Sequence, residues 1–152
     1  MKSKIPEPGD RKRPCCIECG FVAYMNPQVV AGAIPEQDGK IVLLRRGITP
    51  AYGLWTFPAG FVELNETVSE GAVRETLEET GIRIKTHEAV GHYSYANAGV
   101  LVVVFRASVL GGKPRTCHET LEISRFTADT IPWKELAFKS TRESLEDWQK
   151  LK

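Results

Sequence analysis

One stretch constrains this chain more than any other. It runs Gly60-Phe-Val-Glu-Leu-Asn-Glu66, leaves seven residues, and continues Arg74-Glu75-Thr-Leu-Glu78-Glu79-Thr-Gly81-Ile82. Residues 66 to 80 are predicted to be a helix: Val68 and Ala72 are four apart, as are Val73 and Leu77, which sets up an apolar face with Thr76 among them. Gly81 falls where a helix-ending glycine belongs, and Asn65 or Thr67 can cap the start. Glu75 and Glu78 are three apart and Glu75 and Glu79 four apart, so their carboxylates share one side. Like charges at that spacing cost an isolated helix about 0.2–0.5 kcal/mol per pair. A hard divalent cation turns that cost into a binding site, because Mg²⁺ takes oxygen ligands and usually shares them with substrate phosphates. Arg74 can pair with Glu78, or reach back to Glu66 or Glu70, and so hold a carboxylate in place. Glutamate-rich helices are ordinarily just solvated. This one follows a strand and the loop Pro58-Ala-Gly60-Phe, and its apolar face anchors it while the acidic side stays free.

The flanking sequence reads mostly as strands. Val29 to Ile34 and Ile41 to Leu44 are apolar runs joined by Asp38-Gly39, a hairpin signal. Gly47 to Gly53 is a loop, and Leu54 to Phe57 a short strand ending at Pro58. Ile82 to Ile84, a strand near Ala89 to Tyr95, and a continuous apolar, buried-looking strand from Val100 to Phe105 follow the helix. Gly111 to Pro114 is a turn, and Thr120 to Ser124 alternates as a half-buried strand does. Ile131 to Phe138 is irregular or a short helical turn, and Thr141 to Leu151 a final amphipathic helix. The simplest assembly is α/β: a mixed sheet packed between helices. Residues 1–26 are expected to be an extended lead-in with a cysteine-bearing knuckle, and residues 27–152 the main domain.

Composition narrows the setting. At 152 residues, 42% apolar and 26% charged, the chain is expected to fold as one compact domain. The longest apolar stretch, Gly99 to Phe105, is too short to span a bilayer, and the first residues lack the apolar core of a secretory signal. A cytoplasmic protein without a membrane partner is the expectation. The net charge of +1 gives no basic field for nucleic acid; the run Arg11-Lys-Arg13 reads as a solvated segment. Cys15, Cys16 and Cys19 lie too close together for a disulfide framework, and with Cys117 read as metal ligands or free thiols.

The spacing of the glutamate segment resembles the Nudix signature: a Gly, five residues, a Glu, seven residues, then Arg-Glu-apolar-x-Glu-Glu-x-Gly-apolar. All seven signature positions match; one apolar position is Thr76 here. The resemblance implies a Nudix α/β/α sandwich with a catalytic loop–helix–loop. It implies hydrolysis of a pyrophosphate bond in a nucleoside diphosphate derivative, with Mg²⁺ or Mn²⁺ held by Glu75, Glu78 and Glu79 and by the carbonyl of Ala59 or Gly60. Glu66 and Arg74 become a supporting pair, with Gly60 and Gly81 as the structural glycines. Water attacks phosphorus, and Glu78, Glu79 or a carboxylate from a later loop serves as base. Glu119 and Glu122 are the later candidates, with Glu122 favoured over a plain surface role. Arg45 or Arg46 can take a phosphate bidentately, the other being structural. Trp55, Phe57, Phe61 and Tyr95 are candidates to stack on a base, core packing being the competing role for at least two.

Beyond the signature, Asn26 to Gly32, Gly53 to Phe61 and Ile131 to Phe138 look like a branch that carries an N-terminal zinc ribbon, with FAD and ADP-ribose pyrophosphatases among its members. FAD, ADP-ribose or a related dinucleotide is the implied substrate, and a homodimer the implied assembly. Three features depart from that branch. Only Cys16-x-x-Cys19 of two zinc knuckles is present, as if the ribbon were truncated; a closed zinc site takes four ligands. Zinc is therefore not expected unless Cys15 or Cys117 substitutes. The Ser-Gln-Pro-Trp-Pro-Phe run of NADH pyrophosphatases is missing, and no proline lies between Gly81 and Pro114, where many ADP-ribose pyrophosphatases have one. The alternatives are a pyrophosphohydrolase of oxidised nucleoside triphosphates, a non-catalytic nucleotide-sensing module, and a nucleic-acid-binding zinc-ribbon protein.

Overall fold

A computed structural model describes residues 1–152. The chain opens with two short antiparallel strands, β1 (Lys2–Lys4) and β2 (Arg13–Cys15), which form a sheet of their own. Cys15 bridges to Val22 across the turn that carries Cys16 and Cys19. The main sheet has seven strands. Strand β3 (Gln28–Gln37) turns at Asp38-Gly39, both in the left-handed region, into β4 (Lys40–Arg46), as the Asp-Gly signal predicts. The two strands stay paired only next to the turn. Beyond it they splay. Strand β6 (Ala59–Phe61) fills the gap beside β3, and β5 (Trp55–Thr56) lies along β4.

The catalytic-type helix α1 (Val68–Thr80) begins at Thr67, not Asn65. The Thr67 hydroxyl accepts from the Glu70 N–H, and the Glu70 carboxylate accepts from the Thr67 N–H at 2.7 Å, closing a capping box. Gly81 ends the helix at φ 73°, donating to the Leu77 carbonyl at 2.8 Å. A Cβ there would lie 2.5 Å from the Lys113 carbonyl, so packing as well as φ requires glycine. After α1 the chain runs through one long strand, β7 (Ile82–Tyr95), rather than the two segments predicted; breaks in register near Arg83, Thr86 and Ala89 bend it without ending it. Strand β8 (Val100–Gly112) pairs in parallel with β3 along nine positions and antiparallel with β7. It is not the uniformly buried strand expected. Val102 and Val104 face one side, while Phe105, Ala107 and Val109 face the other. Strand β9 (Thr120–Phe126) completes the sheet beside β4, and α2 (Lys139–Lys150) closes the chain.

The two faces of the sheet are covered by the two helices, giving the expected α/β/α sandwich. On the α2 side, Ile34, Ile41, Leu43, Val102 and Val104 pack with Leu145 and Trp148. On the α1 side, Ala31, Ala33, Val42 and Ala107 meet Ala72. Small residues on both partners let α1 approach β3 closely. The buried strip of α1 is Gly71, Ala72, Thr76, Glu79 and Thr80; Leu77, assigned to the apolar face by spacing, is largely exposed. Rotating the helix this way carries Glu79 inward. Thr76, at an apolar signature position, satisfies its hydroxyl on the Ala72 carbonyl at 2.7 Å.

Helix α2 is pinned by polar contacts as well as by its apolar side. Trp148 Nε1 donates to Glu36 Oε1 at 2.7 Å, Arg106 Nε holds the same carboxylate at 2.9 Å, and the Tyr93 hydroxyl donates to Asp147. Trp148 is fully buried. Trp148→Ala should lower unfolding stability by about 3–5 kcal/mol in urea titration; a loss under about 1 kcal/mol would mean that α2 is not anchored there.

Candidate active site

Three glutamates leave α1 in three directions. Glu79 turns inward, 8% exposed, and its one hydrogen bond comes from the Ala59 N–H, 2.9 Å from Oε2. Burial, with Glu75 and Glu119 nearby, pushes its pKa up to about 8. Glu75 lies against Gly60. A Cβ on Gly60 would sit 2.2–2.4 Å from the Glu75 carboxylate, so that glycine exists to admit a carboxylate against the backbone. Burial also raises the Glu75 pKa, partly offset by Arg74. Glu78 points outward, more than half exposed, and meets Arg74 Nη1 at 3.1 Å.

Arg74 ties the helix to the loop before it. Its Nη2 donates to Glu66 Oε1 at 2.7 Å and to the Phe61 carbonyl at 3.0 Å, while Nε donates to Glu66 Oε2 at 3.0 Å. Its Nη1 reaches Glu75 at 2.7 Å. The fork-to-fork contact with Arg74, aided by the Glu63 N–H, holds the Glu66 pKa down to about 2. Of the partners open to Arg74 by spacing, Glu66 and Glu78 are engaged and Glu70 is not, because Glu70 is occupied by the cap. With the side chains so placed, no three Asp, Glu, His or Cys groups converge on one point.

Beside these glutamates opens a cavity of about 570 Å³. Ala59, Gly60 and Phe61 of β6 form the wall it shares with the glutamate helix, and Tyr95, Phe138 and Arg46 line other parts. Phe61 is half exposed beside it; Phe57 reaches it from the core. Arg46 Nε donates to the Pro50 carbonyl at 2.9 Å, and its guanidinium lies 4.9 Å from the Phe138 ring centre. Burial pulls the Arg46 pKa down, and Glu79 and Glu119 oppose that pull, so this cation faces the acidic cluster.

Several residues chosen from sequence lie elsewhere. Trp55 is a core residue, 6% exposed and edge-on to Phe126 at 5.1 Å, and does not line the cavity. Arg45 neighbours Trp55 on one edge of β4 and Glu122 on the other; it donates to the Gly53 carbonyl at 2.7 Å and pairs with Glu122 at 3.6 Å. Strand alternation sends Arg45 and Arg46 to opposite faces, and Arg46 is the one at the cavity. Glu122 is accordingly an exposed strand residue in an ion pair, not a neighbour of Glu75 and Glu79. The later carboxylate that reaches them electrostatically is Glu119. Its loop is drawn in at Gly47, whose N–H donates to the Glu119 carbonyl at 2.7 Å and whose missing side chain leaves room for the His118 carbonyl. No spacing rule links Glu119 to the helix. Glu119 is one of the two later candidates; Phe138 carries no signal in the sequence, since nothing local distinguishes it from a core aromatic.

The cysteines divide. Cys16 and Cys19 share a turn, where N–H groups of Glu18 and Cys19 lower the Cys16 pKa. Cys15 is buried, and Cys117 lies against the Glu79 carbonyl end of α1, with no disulfide among the four. Two thiols are half of a closed zinc site, and no third ligand is gathered with them.

Residues 25–148 match the family model described as NUDIX domain. The chain belongs to the NUDIX family. A NUDIX hydrolase from Nitrosomonas europaea has a crystal structure that matches with a TM-score of 0.93 and 38% identity, over 98% of this chain and 85% of that one. An ADP-ribose pyrophosphatase from Methanocaldococcus jannaschii is 37% identical over 119 residues, 76% of this chain and 69% of its own length. A MutT-like protein from Streptomyces ambofaciens is 38% identical over 102 residues, of which this chain spans 64% of the relative's length. This NUDIX chain is thus a member of a hydrolase family with a pyrophosphatase among its relatives, and no helix in it is long and apolar enough to cross a membrane.

Two predictions follow from the glutamate geometry. Gly60→Ala should displace the Glu75 carboxylate and lower unfolding stability by about 1–3 kcal/mol in urea titration; an unchanged midpoint would refute the contact. Glu66 has a lowered pKa in the folded chain. Its stabilisation is therefore present above the unfolded carboxyl pKa and lost as pH falls through about 2. Glu66→Gln should lower the thermal midpoint at pH 7, and the gap to the native chain should narrow steadily below about pH 4. A gap independent of pH would show that the pair does not carry that stability.

Proposed function

We propose that this chain hydrolyses a pyrophosphate bond in a nucleoside diphosphate derivative, with FAD, ADP-ribose or a related dinucleotide as substrate. The observation that carries the reading is Glu79: a buried carboxylate with no cationic partner in contact, beside a second half-buried carboxylate, at the edge of a nucleotide-sized cavity. Folding alone does not favour such a placement. A divalent cation does.

The donor set suits Mg²⁺ or Mn²⁺, since Glu75, Glu78 and Glu79 offer hard oxygen ligands and the backbone of Ala59 borders them. Bound there, such an ion neutralises phosphate charge and lowers the pKa of water. The chain's own residues do the rest. Gly60 lets the substrate and Glu75 approach one stretch of backbone from opposite sides. Arg74, fixed by Glu66, holds Glu75 in one orientation. Arg46 meets a phosphate at the cavity side, where water is scarce and a guanidinium acts strongly. Glu119 takes a proton from the attacking water and replaces Glu122 in that part. Residues 27–152 form the hydrolase domain and residues 1–26 the lead-in, and the Cys16–Cys19 knuckle marks kinship with the zinc-ribbon branch without a complete zinc site.

The ADP-ribose pyrophosphatase among the relatives supports the dinucleotide class. Mg²⁺-dependent incubation with FAD, ADP-ribose, NADH and nucleoside triphosphates should release two monophosphate products from a dinucleotide; phosphate or pyrophosphate from triphosphates alone would refute the reading. Glu79→Gln should cut turnover by about 10²-fold or more. Its stability shift has a distinct sign. A raised carboxyl pKa means that folding favours the protonated form, so stability is lost as pH rises from the unfolded value through about 8. Without metal, Glu79→Gln should therefore be more stable than the native chain at pH 9 and no more stable at pH 4, measured by thermal melting. Near-normal activity in that variant would sink the assignment.

A further inference from the structure

Helix α2 begins at Lys139, and its first turn opens on the cavity, which Lys139, Ser140 and Thr141 help to line. No side chain caps this end, and no acidic residue stands in the first turn. Arg142 is the first residue to donate along the helix, to the Phe138 carbonyl at 3.2 Å. The three N–H groups ahead of it have no helical acceptor and carry the positive end of the helix dipole. Water satisfies such an end at a surface, but Ser140 is only 9% exposed. Its carbonyl accepts the Ser144 hydroxyl at 2.6 Å, whereas its own hydroxyl bonds no protein atom and faces the cavity. Thr141 beside it is satisfied by Thr56 at 2.9 Å. Glu143, one turn further on, is engaged by Lys139 and by the Tyr95 hydroxyl. Arg46 adds positive charge nearby. Its guanidinium lies 4.9 Å from the Phe138 ring centre, and only its Nε is committed, to the Pro50 carbonyl at 2.9 Å.

We propose that the first turn of α2, with the Ser140 hydroxyl and Arg46, is an anion site for a phosphate group, built from different residues than the acidic cluster on α1. A phosphate supplies what this turn lacks. Its oxygens accept from the free N–H groups and from the Ser140 hydroxyl, and its charge suits both a helix N-terminus and a guanidinium. The glutamates and their cation serve the two phosphates joined by the scissile bond. The α2 site takes a further one, either a phosphate monoester elsewhere on the substrate or free phosphate. Assigning it to a substrate rests on the hydrolase reading; the anion site itself does not. A ribose 2′-phosphate is such a group, and NADPH differs from NADH by that group alone.

The experiment starts with inorganic phosphate, titrated into the full chain near neutral pH without divalent metal, so that the glutamates hold none of it. The backbone amide signals of Ser140 and Thr141 should move and saturate in NMR spectra, with a dissociation constant of about 1 mM or tighter. Ser140→Ala should weaken that binding about tenfold. Ser140→Asp places the charge of the ligand in the site, so this chain should lose its response to phosphate and melt no lower than the native one. NADPH and NADH, turned over with Mg²⁺, then identify the source. An NADPH preference of about tenfold that Ser140→Ala abolishes makes the substrate the source; equal turnover makes it free phosphate. Unmoved amides, native phosphate affinity in Ser140→Ala, or a Ser140→Asp chain that melts well below the native one would each overturn the proposal. Failure of the hydrolase reading is seen separately: neither dinucleotide would be cleaved while the amides still respond to phosphate.

Discussion

The structure turns on the burial of a carboxylate between a helix and a strand edge. Glu79 reaches inward only because Gly71, Ala72 and Thr76 bring α1 close to β3, and because the Ala59 N–H is free to donate to it. Strand β6 supplies that N–H. It exists because β3 and β4 separate beyond their hairpin and leave an edge to be filled. A position that costs stability at neutral pH is thus the product of main-chain geometry extending well beyond the residue itself. Strain of this kind, concentrated where charge is to be held, is what a binding site requires and a plain scaffold avoids.

Arg74 makes that geometry rigid. It joins the loop through Glu66 and the Phe61 carbonyl to the helix through Glu75 and Glu78. One planar cation therefore orients three acidic side chains and fixes the end of β6. Gly60 completes the arrangement from the other side, since any side chain there would occupy the space of the Glu75 carboxylate. The same β6 backbone forms a wall of the cavity, so the acidic cluster and the apolar pocket are two faces of one short strand.

The opposite layer has a different task. Helix α2 is held by Trp148, Tyr93 and Tyr95, whose polar ends reach Glu36, Asp147 and Glu143. Its first turn, Lys139 to Thr141 after Phe138, closes one side of the cavity. Anchoring α2 thereby defines the pocket.

Much of this was legible in the residues alone. The intervals between Gly60, Glu66, Arg74, Glu75, Glu78, Glu79 and Gly81 determine a capped helix bearing the acidic residues, because helical periodicity is local and Gly81 is the residue that tolerates a left-handed terminus. The Asp38-Gly39 hairpin is local in the same sense. Only the tertiary structure decided which way the helix faces, which arginine reaches the cavity and which later glutamate approaches the cluster. Leu77 is exposed and Thr76 buried because close packing against small residues outweighed hydrophobic ranking. Arg46 and Arg45 part company through strand pleating, and Glu119 comes in where Glu122 does not because Gly47 admits its loop. Such choices depend on contacts between segments far apart in the chain, and nothing within a single window of sequence encodes them.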